Sequence, residues 1–157
     1  MEKKTIYLEG PLAHASDKEA YDWREKFEKE LSGKYILINP LKSVGDFRKE
    51  LNELRARWVD AGARAKFKDM MDKRIIQPDL DDIARTDIEV AYIPKKPTSF
   101  GTICGFFYFK RILGKSPAIL ITGEDKTIMD CNNWELGLAD EVFHTFDDAI
   151  TYLKNKP

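Results

Sequence analysis

The sequence predicts an α/β fold: a mostly parallel, doubly wound sheet of about five strands with helices on both faces. Three observations predict it. Short apolar runs of strand length, such as Tyr35-Ile36-Leu37-Ile38 and the segment from Ala118 to Thr122, contain almost no polar residue, as strands covered on both faces do. These runs alternate with stretches of helix formers, the pattern of parallel strands joined by helical crossovers. Glycine or proline punctuates the junctions, at Gly10-Pro11, Asn39-Pro40 and Gly114.

The first strand is predicted from Thr5 to Leu8, ended by Gly10-Pro11. Ser16 to Leu31 reads as an amphipathic helix with Ser16 as N-cap and Glu19 completing a capping box. Tyr21 or Trp23, then Phe27 and Leu31, recur at helical spacing and should face the core. Ser32-Gly33 stops this helix, and Tyr35 to Ile38 is the second strand. From Asp46 to Ala84 the chain is rich in helix formers, with breaks expected near Ala61-Gly62 and Gln77-Pro78. Pro78 suits the first turn of a short helix reaching Ala84.

Ile88 to Ile93 is the third strand, followed by a loop with two prolines. Gly101 to Leu113 then forms a helix with Phe106, Phe107, Phe109 and Ile112 on its apolar side and Gly114 as its stop. Ala118 to Thr122 is the fourth strand, Glu124 to Asn133 a polar loop, Glu141 to Thr145 a short fifth strand, and Phe146 to Lys154 a terminal helix. The order is Rossmann-like.

At 157 residues the chain fits one domain able to build its own core, and no repeat or linker divides residues 1–157. Its 26 Lys and Arg against 27 Asp and Glu leave a net charge of −1. No global field therefore recruits a nucleic-acid polymer or an anionic membrane. Clusters such as Lys95-Lys96 and Lys110-Arg111 read as solvated faces, with a phosphate-sized partner left open. Cys104 and Cys131 read as reduced thiols, and no apolar run is long enough to span a bilayer, so a cytoplasmic setting is expected.

Ligands of open parallel sheets bind beyond the carboxyl ends of the strands. Those ends offer Glu9-Gly10-Pro11, Asn39-Pro40, the Pro97 to Thr102 loop and Thr122-Gly123-Glu124. The third leads into a helix whose free amides suit a phosphate or a sugar oxygen.

The order Ile6-Tyr7-Leu8-Glu9-Gly10-Pro11, then Asp79-Leu80-Asp81-Asp82-Ile83 with Asp87, then Ser99-Phe100-Gly101-Thr102 resembles the nucleoside 2-deoxyribosyltransferase superfamily, which includes nucleoside 5'-monophosphate N-glycosidases. The resemblance covers residues from about 5 to 122, with Trp134 and the segment from Val142 to Leu153 similar to the family's C-terminal pattern. It implies Tyr7 near the sugar, Gly10 and Pro11 as the turn at the site, and Asp79 holding the reacting sugar. It also implies that Ser99, with the amides near Gly101 and Thr102, contacts a phosphate, so the ligand would be a nucleotide rather than a free nucleoside. His14 is a possible further ligand contact. The resemblance implies a homo-oligomer, at least a dimer, with the loop around Asn132-Asn133-Trp134 reaching a neighbour's site. No metal or organic cofactor is implied.

The family's acidic residue falls at the position of Gly105. Cleavage of an N-glycosidic bond passes through a cation-like sugar that a carboxylate attacks or stabilises, and glycine can do neither. Four explanations are open: an engineered inactive variant, a natural nucleotide-binding or sensing module without activity, a carboxylate supplied from elsewhere, or a likeness of fold alone. Glu9 is the candidate for the third, because an acid gained there could reach into room vacated at Gly105. If instead the protein is an inactive member of the resembled family, replacing Gly105 by Glu is expected to restore some turnover.

Each of these residues also has a plain structural reading. Glu9 can cap a helix or pair with a lysine, Tyr7 can be core with a satisfied hydroxyl, and Asp79 suits a helix's first turn through the helix dipole. Gly101-Thr102 is a common helix start, and Gly105 can simply allow a close approach of another chain segment. Asp79, Asp81 and Asp82 point to different faces of a short helix and read as solvated rather than as a cation site. His14 and His144 have no triad or metal-ligand spacing beside them.

Overall fold

The computed structural model describes residues 2–12, 15–43, 47–97 and 99–157. Five strands form one all-parallel sheet: β1 (Thr5–Glu9), β2 (Ile36–Ile38), β3 (Ile88–Tyr92), β4 (Ala118–Ile121) and β5 (Glu141–Phe143), in the spatial order β2-β1-β3-β4-β5. The strand order reverses between β1 and β3, so a crevice opens there at the carboxyl ends. The helices are α1 (Asp17–Leu31), α2 (Pro40–Ser43), α3 (Arg48–Ala56), α4 (Ala61–Met71), α5 (Gln77–Ala84), α6 (Phe100–Phe107), α7 (Asn133–Leu138) and α8 (Phe146–Asn155).

Alternation along the central strands sorts side chains onto two faces. Ile6, Leu8, Ile88 and Val90 pack with Trp23, Phe27 and Leu31 of α1 and with Ala149, Ile150 and Leu153 of α8. Tyr7, Ala91 and Ile93 face the opposite way and pack with Ile83 of α5 and with Phe106 and Phe109. A satellite core of Leu54, Ala63 and Met70 joins α3 to α4.

The local signals operate as the residues dictate. Ser16 caps α1, its hydroxyl accepting from the Glu19 amide at 3.2 Å while the Glu19 carboxylate accepts from the Ser16 amide at 2.7 Å. Trp23, not Tyr21, is the buried aromatic of that helix's second turn. The break before α4 falls just ahead of Ala61-Gly62, because Asp60 caps the helix by accepting from the Ala63 amide. No break occurs at Gln77-Pro78. A π-helical turn, Asp72–Ile76, carries α4 into α5, and Pro78 sits in the first turn of α5, where its missing N–H costs nothing.

A second π-helical turn, Tyr108–Ile112, follows α6. The wider turn rotates the side chains out of a simple helical register. Phe106 and Phe109 are therefore fully buried, whereas Ile112, expected on the apolar side, is 60% exposed. The stretch expected as a polar loop before α7 holds a 3-10 turn, Ile128–Asp130, with Thr127 and Asp130 as a capping box. It is anchored by the buried pair Lys126–Glu135, at 2.6 Å, with Lys126 also donating to the Ile93 carbonyl.

Candidate active site

A cavity of about 660 Å³ opens at the β1/β3 switch point, a size suited to a small organic ligand. Tyr7, Glu9, Gly10, Pro11, Asp79, Ser99, Gly101, Thr102 and Gly105 all line it. All nine come from three segments far apart in sequence, and the fold brings them together because all three begin or end at the carboxyl end of the sheet. Asn133 stands apart, exposed in the first turn of α7, where Asn132 is the N-cap accepting from the Glu135 amide. His14 lies outside the described residues.

Glu9 and Gly105 are the closest pair in the site. A Cβ at Gly105 would stand 2.2 Å from Glu9 Oε1 and 2.4 Å from Oε2, far inside any real contact. Glycine at 105 is thus what lets α6 close over the Glu9 carboxyl. The Glu9 side chain is buried and lines the cavity, and among the described residues it neither caps a helix nor pairs with a lysine.

Behind Glu9 stands Glu89. Tyr7 and Glu89 are register partners on β1 and β3, and Glu9 pairs with Ala91, so Tyr7, Glu9 and Glu89 leave the same face of the sheet. Glu89 is fully buried, and it leaves β3 on the same face as Glu9 leaves β1, so that the two carboxyl groups are neighbours in the interior. Burial, first of all, and then the adjacent Glu89 carboxyl push Glu9 well above the usual carboxylate range. Burial likewise pushes Glu89 up to about 7.

Arg24 of α1 supplies the positive charge. It lies on the stripe Ala20, Arg24, Phe27, Leu31 and is fully buried, with its guanidinium stacked over the Trp23 ring. It donates to the carbonyls of Leu8 at 3.2 Å, Ala20 at 2.5 Å and Gly10 at 3.2 Å. These bonds fix the β1–α1 turn, and a Cβ at Gly10 would meet the Trp23 ring at 2.8 Å. Burial lowers Arg24 to about 10, so it stays charged at neutral pH.

Asp79, in the first turn of α5, is raised to about 6, by burial against the opposing hydrogen bond from the Tyr7 hydroxyl. Burial and then Asp79 raise the Tyr7 phenol far above its ordinary value, so it remains a neutral donor. Asp82, read from sequence as solvated, is buried and pairs with Arg85, and Asp87 accepts from the Thr5 amide at 2.8 Å. At the rim, Ser99 precedes α6 and its hydroxyl bonds the Thr102 hydroxyl rather than capping the helix. Among the described residues, the first intrahelical bond of this turn is Ile103 N–H to the Ser99 carbonyl, and the amides of Phe100, Gly101 and Thr102 have no intrahelical acceptor there. The outer wall is built by the segment from Phe47 to Ile76: Phe47, Leu51, Phe67, Met71 and Ile76 make it largely apolar, and Arg48, Asn52 and Arg55 also line it.

Arg24, Glu89 and this wall were not foreseen from sequence. Arg24 breaks an apolar helical stripe and Glu89 is the one charge in an otherwise apolar central strand, and both are readable signals of buried charge. The wall depends on long-range packing of α3 and α4, which no local pattern announces. Among the described residues, no group of three or more His, Cys, Asp or Glu is arranged to hold a metal ion, and no helix is long and apolar enough to cross a membrane.

The fold has a solved relative. A conserved protein from Enterococcus faecalis V583 superposes with a TM-score of 0.65 over 98% of both chains, at 15% identity. The shared property is the doubly wound α/β fold. No protein-family model matches this sequence, and no curated protein matches it.

Proposed function

We propose that this protein cleaves, or exchanges the base across, the N-glycosidic bond of a nucleoside 5'-monophosphate or nucleoside, with the Glu9 carboxyl in the role that the resembled superfamily gives to an acid at 105. The observation that carries this reading is the contact between the Glu9 carboxyl and the Gly105 backbone at the floor of the cavity. In this reading the C–N bond breaks and its electron pair leaves with the base, which takes up a proton. The resulting cation-like sugar faces the Glu9 carboxylate, in a site where a fixed charge is worth far more than in water. Water, or a second base, then bonds the anomeric carbon and gives up its proton.

Asp79, held by Tyr7, would bind the sugar hydroxyls, and Ser99 with the free amides of α6 would receive the phosphate. The apolar wall would cover the base. Phe100 and Trp134, 76% and 64% exposed, with Met129, support a homo-oligomer of at least two copies that covers them. The test is incubation with a panel of nucleosides and nucleoside 5'-monophosphates, following free base by chromatography and binding by thermal shift. Base release supports the reading. Stabilisation without release would make the protein a nucleotide-binding module instead, and neither signal would remove the nucleotide.

A further inference from the structure

Glu89 does not line the cavity, yet it stands next to Glu9 on the same face of the sheet, one register step away on β3. Glu9 Oε2 and both oxygens of Glu89 are buried and find no N–H or hydroxyl donor among the described residues. Two buried carboxylates with these oxygens unsatisfied are strongly disfavoured, whereas one proton between them gives a donor to the pair and removes one buried charge. Two carboxyls at one buried site hold a proton for this reason in other proteins also.

We infer that Glu89 is a positioning residue: it shares a single proton with Glu9, so that the pair presents one negative charge, in one orientation, to the cavity floor. The inference rests on the proposed role of Glu9 but concerns a group that touches no ligand. Every charged or titratable group around the pair fits one residual charge. Arg24 from α1 favours the first ionisation. Asp79 from α5 and Glu89 from β3 oppose the second, while Tyr7 on β1 is neutral and α6 contributes only the Gly105 backbone. The proton needs no external donor, because it is retained from solution when the chain folds around the two acids.

The variant Glu89→Gln keeps the shape and replaces the shared proton by a fixed amide donor, and Glu89→Asp keeps the acid. The first readout needs no substrate: side-chain carboxyl-labelled glutamate is followed by 13C NMR against pH in the full chain. In the native protein, Glu9 and Glu89 are expected to titrate together above the usual glutamate range. In Glu89→Gln the Glu9 signal should move down in pH and titrate as a single step, with Glu89→Asp restoring the coupled behaviour. An unchanged Glu9 titration in Glu89→Gln would overturn the inference. The second readout is base release, whose acid limb should move to lower pH in Glu89→Gln, with kcat reduced up to about 100-fold and KM little changed, as for a misaligned catalytic group. A loss of stability with an unmoved acid limb would mean a structural role and overturn it. If no nucleotide yields base, the functional reading fails while the NMR titration still decides the pair.

Discussion

The carboxyl group of Glu9 fills the space that a side chain at Gly105 would occupy, so an acid at one position and a side chain at the other exclude each other. Gly105→Ala should therefore destabilise the fold by about 1–3 kcal/mol through overpacking, despite alanine's better helix propensity. Gly105→Glu alone should do worse and not restore turnover, contrary to the expectation from sequence. The double variant Gly105→Glu with Glu9→Gly removes the clash and should recover thermal stability and some base release. Denaturant unfolding and chromatography of released base check both statements.

Stability should depend on pH through the acid pair. A carboxyl whose folded pKa is raised makes the native state bind more protons than the unfolded one. Its stabilising effect is complete below the unfolded value and is lost as pH rises through the folded one. For Glu89 that window runs from about 4.5 to about 7. Glu9→Gln, which removes one acid from the pair, should therefore raise Tm near pH 8 by several degrees, corresponding to about 1–3 kcal/mol, with the two curves converging near pH 4. A Tm difference independent of pH would contradict this.

Asp79 is predicted to set a limb of the activity profile near pH 6, because its ionised form accepts sugar hydroxyl bonds more strongly than the neutral acid and its pKa is about 6. The Tyr7 hydrogen bond lowers that value, so Tyr7→Phe should move the limb to higher pH. The pH dependence of kcat/KM in both proteins measures it.

Much of this was legible in the chain. The apolar runs at Ile36–Ile38 and Ala118–Ile121, the Ser16–Glu19 capping box and the Gly10-Pro11 turn fixed the sheet, α1 and the site's location, because each acts through neighbours in sequence. That an acid at position 9 could reach into the room left at Gly105 was legible too, and the two positions do meet. The π-helical turns were not, since an i→i+5 bond leaves no compositional mark, and Ile112 was misassigned for that reason. Arg24 and Glu89 were visible as charges in apolar stripes, but only the packing of α1 over β1 and of β1 beside β3 gives them a role.

Arg24 is expected to matter for stability more than any surface charge. Arg24→Ala would leave the carbonyls of Leu8, Ala20 and Gly10 without their charged donor and hollow out the β1–α1 turn, costing about 3 kcal/mol or more. Arg24→Lys cannot reproduce the planar fork and should recover only part of the loss. Urea unfolding of the two variants distinguishes these outcomes.

The most direct test of the account is base release from nucleoside 5'-monophosphates by the native protein and by Glu9→Gln, each checked for ligand binding by thermal shift. The account predicts release by the native protein, and in Glu9→Gln a fall of about 100-fold or more in turnover with binding retained. Equal turnover in the two proteins, or binding without any release by the native one, would contradict it.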